Sequence, residues 1–190
     1  MPNPSKNSVN ERPLLLVDVD GVISLFGFDP ARPPDGRWET VDGVAHLLSA
    51  AAGACLRPLL TVFEAAWCTG WEEKANEYLP RALGMPASLP YLSFGRAGAV
   101  AGGHWKLDAI DCFVGVGRPL AWIDDDHDDA CADWAAARAA PTLLITTDPA
   151  VGLTDEHVGA LVAWARDSVE EAQSNEPWRP APARKRSSPA

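Results

Sequence analysis

The sequence predicts an α/β domain built on a doubly wound parallel sheet of about five strands, with helices on both faces. Three observations carry that expectation. Short β-prone apolar runs alternate with segments of helical periodicity along the chain, which is how successive βαβ units read in sequence. The runs are apolar throughout rather than at every second residue, as strands buried on both faces are. Polar residues follow several of the runs directly, and open α/β sheets bind their ligands beyond the carboxyl ends of the strands.

Each element follows from local chemistry. Residues 14–19, LLLVDV, form the first strand. The Gly- and Pro-rich stretch 21–40, GVISLFGFDPARPPDGRWET, predicts a small flap or hairpin. Asp42 is expected to cap a helix whose apolar positions Val44, Leu47, Leu48 and Ala51 keep helical spacing. A second strand is expected at Phe63–Trp67, then a helix with Trp71, Ala75, Tyr78 and Leu79 on one face, interrupted by Pro80. Tyr91–Phe94 is the expected third strand, and the loop GRAGAVAGGH leads to a short helix over Lys106–Phe113. Leu120–Asp124 and Thr142–Thr146 are the fourth and fifth strands, separated by a helix through Trp134 to Arg138. Thr154 caps the last helix, Asp155 and Glu156 complement its dipole, and Val158, Leu161, Val162 and Val169 line one face.

At 190 residues, 47% hydrophobic and 22% charged, the chain suits a single globular domain with a sizeable core. The folded domain is expected over 13–172. A polar N-terminus, 1–12, and a Pro-, Ala- and Arg-rich tail, 173–190, lack apolar periodicity and read as disordered. No apolar run reaches the roughly 20 residues that span a bilayer. No apolar stretch precedes Leu14 as a secretory signal would require, so the expected location is the cytoplasm. Cys55, Cys68, Cys112 and Cys131 are scattered with no CxxC pair, which favours small core hydrophobes over a zinc site or disulfide framework. The net charge of −10 is uneven: the tail from Pro177 carries +4, leaving −14 on the rest. So acidic a body repels phosphate backbones, so a nucleic-acid contact is compatible with the sequence but not indicated by its charge.

The chemistry concentrates at the strand ends. Asp18 and Asp20 follow the first strand, Thr69 the second, and Asp124, Asp125 and Asp126 the fourth, while Lys106 opens the helix after the third. Two carboxylates about 4 Å apart repel by roughly 4 kcal/mol at an effective dielectric of 20. Several converging on one edge therefore require a compensating charge. A hard divalent cation with oxygen ligands supplies it, and carboxylates together with phosphate oxygens suit Mg²⁺. Lys106 adds a second positive charge at the same place. The constellation asks for a metal and a phosphoryl group.

In that order, Asp18-Val19-Asp20-Gly21-Val22, Thr69, Lys106 and Ile123-Asp124-Asp125-Asp126 resemble the four motifs of the haloacid dehalogenase (HAD) superfamily, over roughly residues 13–165. The segments WCTGWEEKAN and LAWIDDDHDDA are similar to the HAD domain of Swiss-army-knife RNA repair proteins. The resemblance implies a Rossmann-like HAD core and a Mg²⁺-dependent phosphohydrolase. Asp18 would be the nucleophile that forms an aspartyl-phosphate, and Asp20 the general acid and then base. Thr69 would bind a phosphoryl oxygen, and Lys106 would offset charge on Asp18 and the phosphoryl group. Asp18, the main-chain carbonyl of Asp20, Asp124 and Asp125 would hold the metal. A large cap domain has no room: 96–104 is too short and 21–40 holds only the flap. The resemblance then implies an open site, suited to a large phosphorylated substrate with nucleic-acid ends the leading class, or closed by a partner.

Each residue also has a plainer reading. Asp20 could open a turn with Gly21, and Thr69 could cap the next helix. Lys106 could be a surface lysine, whereas Asp18 lies inside an apolar run where an idle carboxylate is costly. Asp126, Asp128 and Asp129 read as first-turn acids, and His104 and His127 as bystanders. Trp67, Trp71, Trp105, Trp122, Trp134 and Trp164 read as packing, whereas Trp38 in the flap could touch substrate. Two other functions fit the same residues: a HAD-derived binding or regulatory module with little turnover, and a receiver-like phosphate-accepting switch. The aspartate pair on the first strand favours the hydrolase over both.

Overall fold

The computed structural model describes residues 12–85, 88–95, 104–115 and 117–174. Among the described residues, seven strands form two sheets, accompanied by five α-helices. The main sheet is parallel, in the order β5-β1-β6-β7, from β1 (Leu14–Val17), β5 (Glu64–Trp67), β6 (Leu120–Asp124) and β7 (Thr142–Thr146). It has four strands rather than about five. At the expected third strand, Tyr91 makes only an isolated bridge to Trp67, through Trp67 N–H to Pro90 O and Leu92 N–H to Trp67 O. A prolyl residue just before Tyr91 has no N–H with which to extend that ladder.

Period-2 alternation sorts the core into two layers. Leu15, Val17, Ala65, Trp67, Ala121, Ile123 and Ile145 face α1 (Ala50–Val62), α2 (Ala75–Leu83) and α5 (Asp155–Ser174). Leu14, Leu16, Ala66, Cys68, Leu120 and Trp122 face α3 (Leu107–Val114) and α4 (Asp129–Ala137). Fully burying each leucine contributes about 1.5–3 kcal/mol relative to exposure. The sheet is thus doubly wound, with helices on both faces.

The second sheet corrects one expectation. Val44–Ser49 is a strand, β4, and not the start of a helix capped by Asp42. It pairs antiparallel with β3 (Gly36–Val41) and β2 (Ser24–Leu25). Asp42 and Gly43 have φ of 51° and 82°, the two positive values of a type I′ hairpin turn, whose twist matches that of the strands it joins. The Asp-Gly signal outweighs the helical spacing of Val44, Leu47 and Leu48. α1 begins only at Ala50, with the Ser49 hydroxyl accepting from Ala52 N–H at 3.1 Å.

Pro80 does not interrupt its helix: α2 runs on to Leu83 and ends at Gly84 in the left-handed region. Pro80 lies in the second turn, so its ring forfeits only the bond to the residue 76 carbonyl. In α5, Leu161 and Ala165 are buried, whereas Val162 and Val169 are exposed, contrary to their expected place on the inner face. The helix reaches Ser174, two residues past the expected domain boundary. Arg12, expected to be disordered, donates to the Leu60 carbonyl at 3.0 Å. The rest of the expected disordered ends, and the loop at 96–103, lie outside the described residues. No helix among the described residues is long and apolar enough to cross a membrane.

Candidate active site

Parallel pairing brings the chemistry to one edge. β1 lies between β5 and β6, with Val17 opposite both Trp67 and Ile123. Asp18 N–H donates to Ile123 O and Cys68 N–H to Val17 O, each one residue beyond the ladder. Asp18, Thr69 and Asp124 therefore emerge side by side, and all three are buried.

Lys106, at the start of α3, crosses beneath them. Its Nζ is 2.9 Å from Asp18 Oδ2 and 2.6 Å from Asp124 Oδ2, and its side chain is only 3% exposed, so it is no surface lysine. The Trp105 ring covers the ammonium from outside at 5.1 Å, a cation–π contact. Asp124 is held further by Trp122 Nε1–H at 3.0 Å and by Asp126 N–H at 3.2 Å. Trp122, read as packing, is fully buried but also orients a site carboxylate. The polar handle of a buried indole is the signal that reading passed over.

The electrostatics are unbalanced. One ammonium faces two carboxylates, and Asp125 joins them: Asp18, Asp124 and Asp125 each offer an oxygen, all within 4.8 Å of one another. Burial pushes the Asp18 carboxyl up to about 7; Lys106 opposes this and Asp124 adds to it. Burial, then Asp124, also raises Asp125. Burial alone would lower Lys106, but Asp18 and Asp124 outweigh it and hold the ammonium charged. A hard all-oxygen donor set with surplus negative charge fits Mg²⁺.

Gly21 makes room for that set. Its φ is 69°, and a Cβ there would lie 2.2 Å from Asp125 Cγ. Its carbonyl accepts from Thr147 Oγ1 at 2.9 Å, and Thr147 N–H donates to Asp124 O at 3.0 Å. Thr147, a residue the sequence did not single out, thus ties the loops after β1, β6 and β7 together. Gly21→Ala combines left-handed strain with a clash into Asp125, so we expect a loss of about 1–3 kcal/mol in chemical denaturation. Magnesium affinity in isothermal titration should fall with it.

Asp20 stands apart from the metal-ready carboxylates. Its side chain is 48% exposed, its Oδ2 accepts from Trp71 Nε1–H at 2.9 Å, and its Oδ1 lies 3.5 Å from His46 Nδ1. Trp71 had read as packing, and His46 was not singled out at all. Thr69 Oγ1 accepts from Trp71 N–H at 3.4 Å, a turn contact and not the expected helix cap, because the helical turn that follows has Trp71 at its N-cap with no side-chain bond.

The remaining candidates lie at the margin. Asp128 caps α4, accepting from Cys131 N–H at 2.9 Å. His127 faces Thr146 Oγ1 at 2.9 Å and is lowered to about 4, chiefly by burial, so it is neutral at pH 7. His104 packs against Trp105 and Trp122. Trp38 is exposed on β3, with its ring centroid 6.4 Å from that of Phe28.

No family model and no curated protein matches the chain. Among solved structures it is similar to the crystal structure of a probable YrbI-family phosphatase from Pseudomonas syringae pv. phaseolica 1448a, at 17% identity and a TM-score of 0.37, over 86% of this chain and 88% of that one.

Proposed function

We propose that this chain is a Mg²⁺-dependent phosphohydrolase of the HAD superfamily, a phosphomonoesterase working through an aspartyl-phosphate on Asp18. The observation that carries the reading is the buried Asp18–Lys106–Asp124 chain at the carboxyl edge of a parallel sheet, with Asp125 beside it and Asp20 above. Asp18, Asp124 and Asp125, with the main-chain carbonyl of Asp20, would hold the cation. When bound, Mg²⁺ supplies charge neutralisation for the carboxylates and the phosphoryl oxygens.

The protein groups divide the reaction. An Asp18 oxygen attacks phosphorus while the bond to the leaving oxygen breaks, and Asp20 donates the proton that the leaving oxygen takes up. Asp20 then accepts a proton from the water that attacks the aspartyl-phosphate, which frees phosphate and restores Asp18. Lys106 and Thr69 stabilise the equatorial oxygens, with Lys106 fixed in advance by its two carboxylate bonds.

For the substrate we favour a phosphorylated macromolecule, nucleic-acid ends first. The chain after β1 builds a thin three-stranded hairpin sheet, and exposed Trp38, Phe26 and Trp105 offer contact outside the phosphate pocket. Location in a reducing compartment, the cytoplasm, is supported by four free cysteines, three of them buried.

One assay tests the reading. An oligonucleotide with a terminal phosphate should be hydrolysed with a higher kcat/KM than the matching mononucleotide, and chelation should abolish both activities. Full activity in chelator removes the metal from the proposal. A preference for the mononucleotide removes the macromolecular substrate. A protein that binds the oligonucleotide without turnover is the binding module instead.

A further inference from the structure

The hairpin sheet reaches the site through a chain of side chains that the proposed chemistry has not yet used. Asp20 is half exposed, and an aspartate on an open loop samples several rotamers. Here one oxygen is anchored by Trp71 Nε1–H at 2.9 Å. The indole is itself clamped edge-on, with the His46 ring centroid at 4.7 Å and 71° and the Tyr78 ring at 6.4 Å and 90°. His46, on β4, is fixed in turn by buried Ser24 on β2, whose Oγ is 2.9 Å from its Nδ1.

The backbone is arranged to the same end. Glu72, directly after Trp71, has a φ of 46°, a left-handed conformation that a non-glycine residue keeps only where its surroundings enforce it. They do: its carboxylate accepts from Phe94 N–H at 2.8 Å and Ser93 Oγ at 3.3 Å, and its N–H donates to Thr69 O. Two residues further, Lys74 pairs with Asp42 at the hairpin tip. Strain, an ion pair and two ring contacts all converge on the placement of one indole N–H.

We propose that Trp71 and His46 are positioning residues for Asp20, holding its carboxyl in the orientation that delivers a proton to the leaving oxygen. The inference rests on the phosphohydrolase reading. Neither residue touches the nucleophile or the metal-ready carboxylates, so their loss should appear only where proton delivery limits the rate. With Oδ2 tied to Trp71 and Oδ1 3.5 Å from His46 Nδ1, the two residues bracket both oxygens of the carboxyl. Trp71→Phe removes the N–H while keeping an aromatic ring between His46 and Tyr78. His46→Ala removes the wedge behind the indole.

Proton delivery matters for a poor leaving group and little for a good one, so the test compares glycerol phosphate with p-nitrophenyl phosphate, in Mg²⁺, on the full chain. Both variants should lower kcat on glycerol phosphate about 10- to 100-fold, as expected when a reacting group is misplaced, with KM nearly unchanged. On p-nitrophenyl phosphate the loss should stay within about threefold, and Asp20→Asn should show the same asymmetry, enlarged. Equal losses on both substrates, or losses confined to KM, overturn the positioning role. If Trp71→Phe fails to fold, as its melting curve will show, His46→Ala carries the same comparison from outside the loop. A wild type inert toward both esters fails the phosphohydrolase reading and the inference with it, whereas an active wild type with symmetric variants fails the inference alone.

Discussion

Asp18→Asn should abolish turnover, by about 10⁴-fold or more, since on the proposed mechanism it removes the group that forms the covalent bond and leaves the remaining machinery nothing to act through. The fold should survive. In the metal-free protein Asp18 is raised to about 7 because burial disfavours its charge, with Asp124 adding to the effect. Between about pH 4 and pH 7 the native state therefore keeps a proton that the unfolded chain has released. Metal-free stability accordingly falls as pH rises through that window, and the asparagine variant lacks that part of the slope. Thermal melts at pH 5 and pH 7 in chelator should show a smaller drop for the variant than for wild type. Wild-type turnover by the variant would exclude Asp18 as nucleophile.

Lys106→Met should have the largest effect on stability. Methionine keeps most of the stem that lies under Trp105 but removes the charge between Asp18 and Asp124. Breaking a buried ion pair costs about 3–5 kcal/mol because the partner is left uncompensated, and here two partners are left. For a domain of this size that corresponds to a fall of about 10 °C in Tm. The deficit should shrink at lower pH, where Asp18 takes up a proton, and should shrink on adding Mg²⁺, which replaces the missing charge. Activity should be lost with the phosphoryl contact. A variant that melts with wild type in chelator would show that the ammonium does not balance these carboxylates.

The main sheet was legible because its strands carry one kind of information. Leu14–Val17, Leu120–Asp124 and Thr142–Thr146 are short apolar runs bounded by breakers, and burial on both faces leaves such runs few alternatives. The strand-end rule then brings Asp18, Thr69 and Asp124 together without any side-chain detail. The hairpin sheet was not legible from periodicity. Val44, Leu47 and Leu48 satisfy a helical stripe as well as they satisfy β4, and only the Asp42-Gly43 turn distinguishes the two. Tyr91–Phe94 has strand composition, but hydrogen bonding there stops at one bridge. Within the site, the carboxylates and Lys106 stand out by charge at strand ends, whereas Trp71, Trp122, His46 and Thr147 act through hydrogen bonds that depend on tertiary contact. Aromatic residues are so often core that their N–H groups carry no signal until the partner is seen.

The two sheets have separate foundations, and that separation bears on how such a fold can diversify. Asp18, Lys106 and Asp124 grow from the parallel sheet and its crossover helix, where each is locked by buried neighbours. The hairpin sheet meets solvent along β3, and its Asp42-Gly43 tip has open space around Gly43. Substitutions and insertions can accumulate there without disturbing the buried ion chain. On the proposed function, a lineage could therefore exchange one leaving group for another by redrafting the hairpin, while leaving the buried ion chain intact.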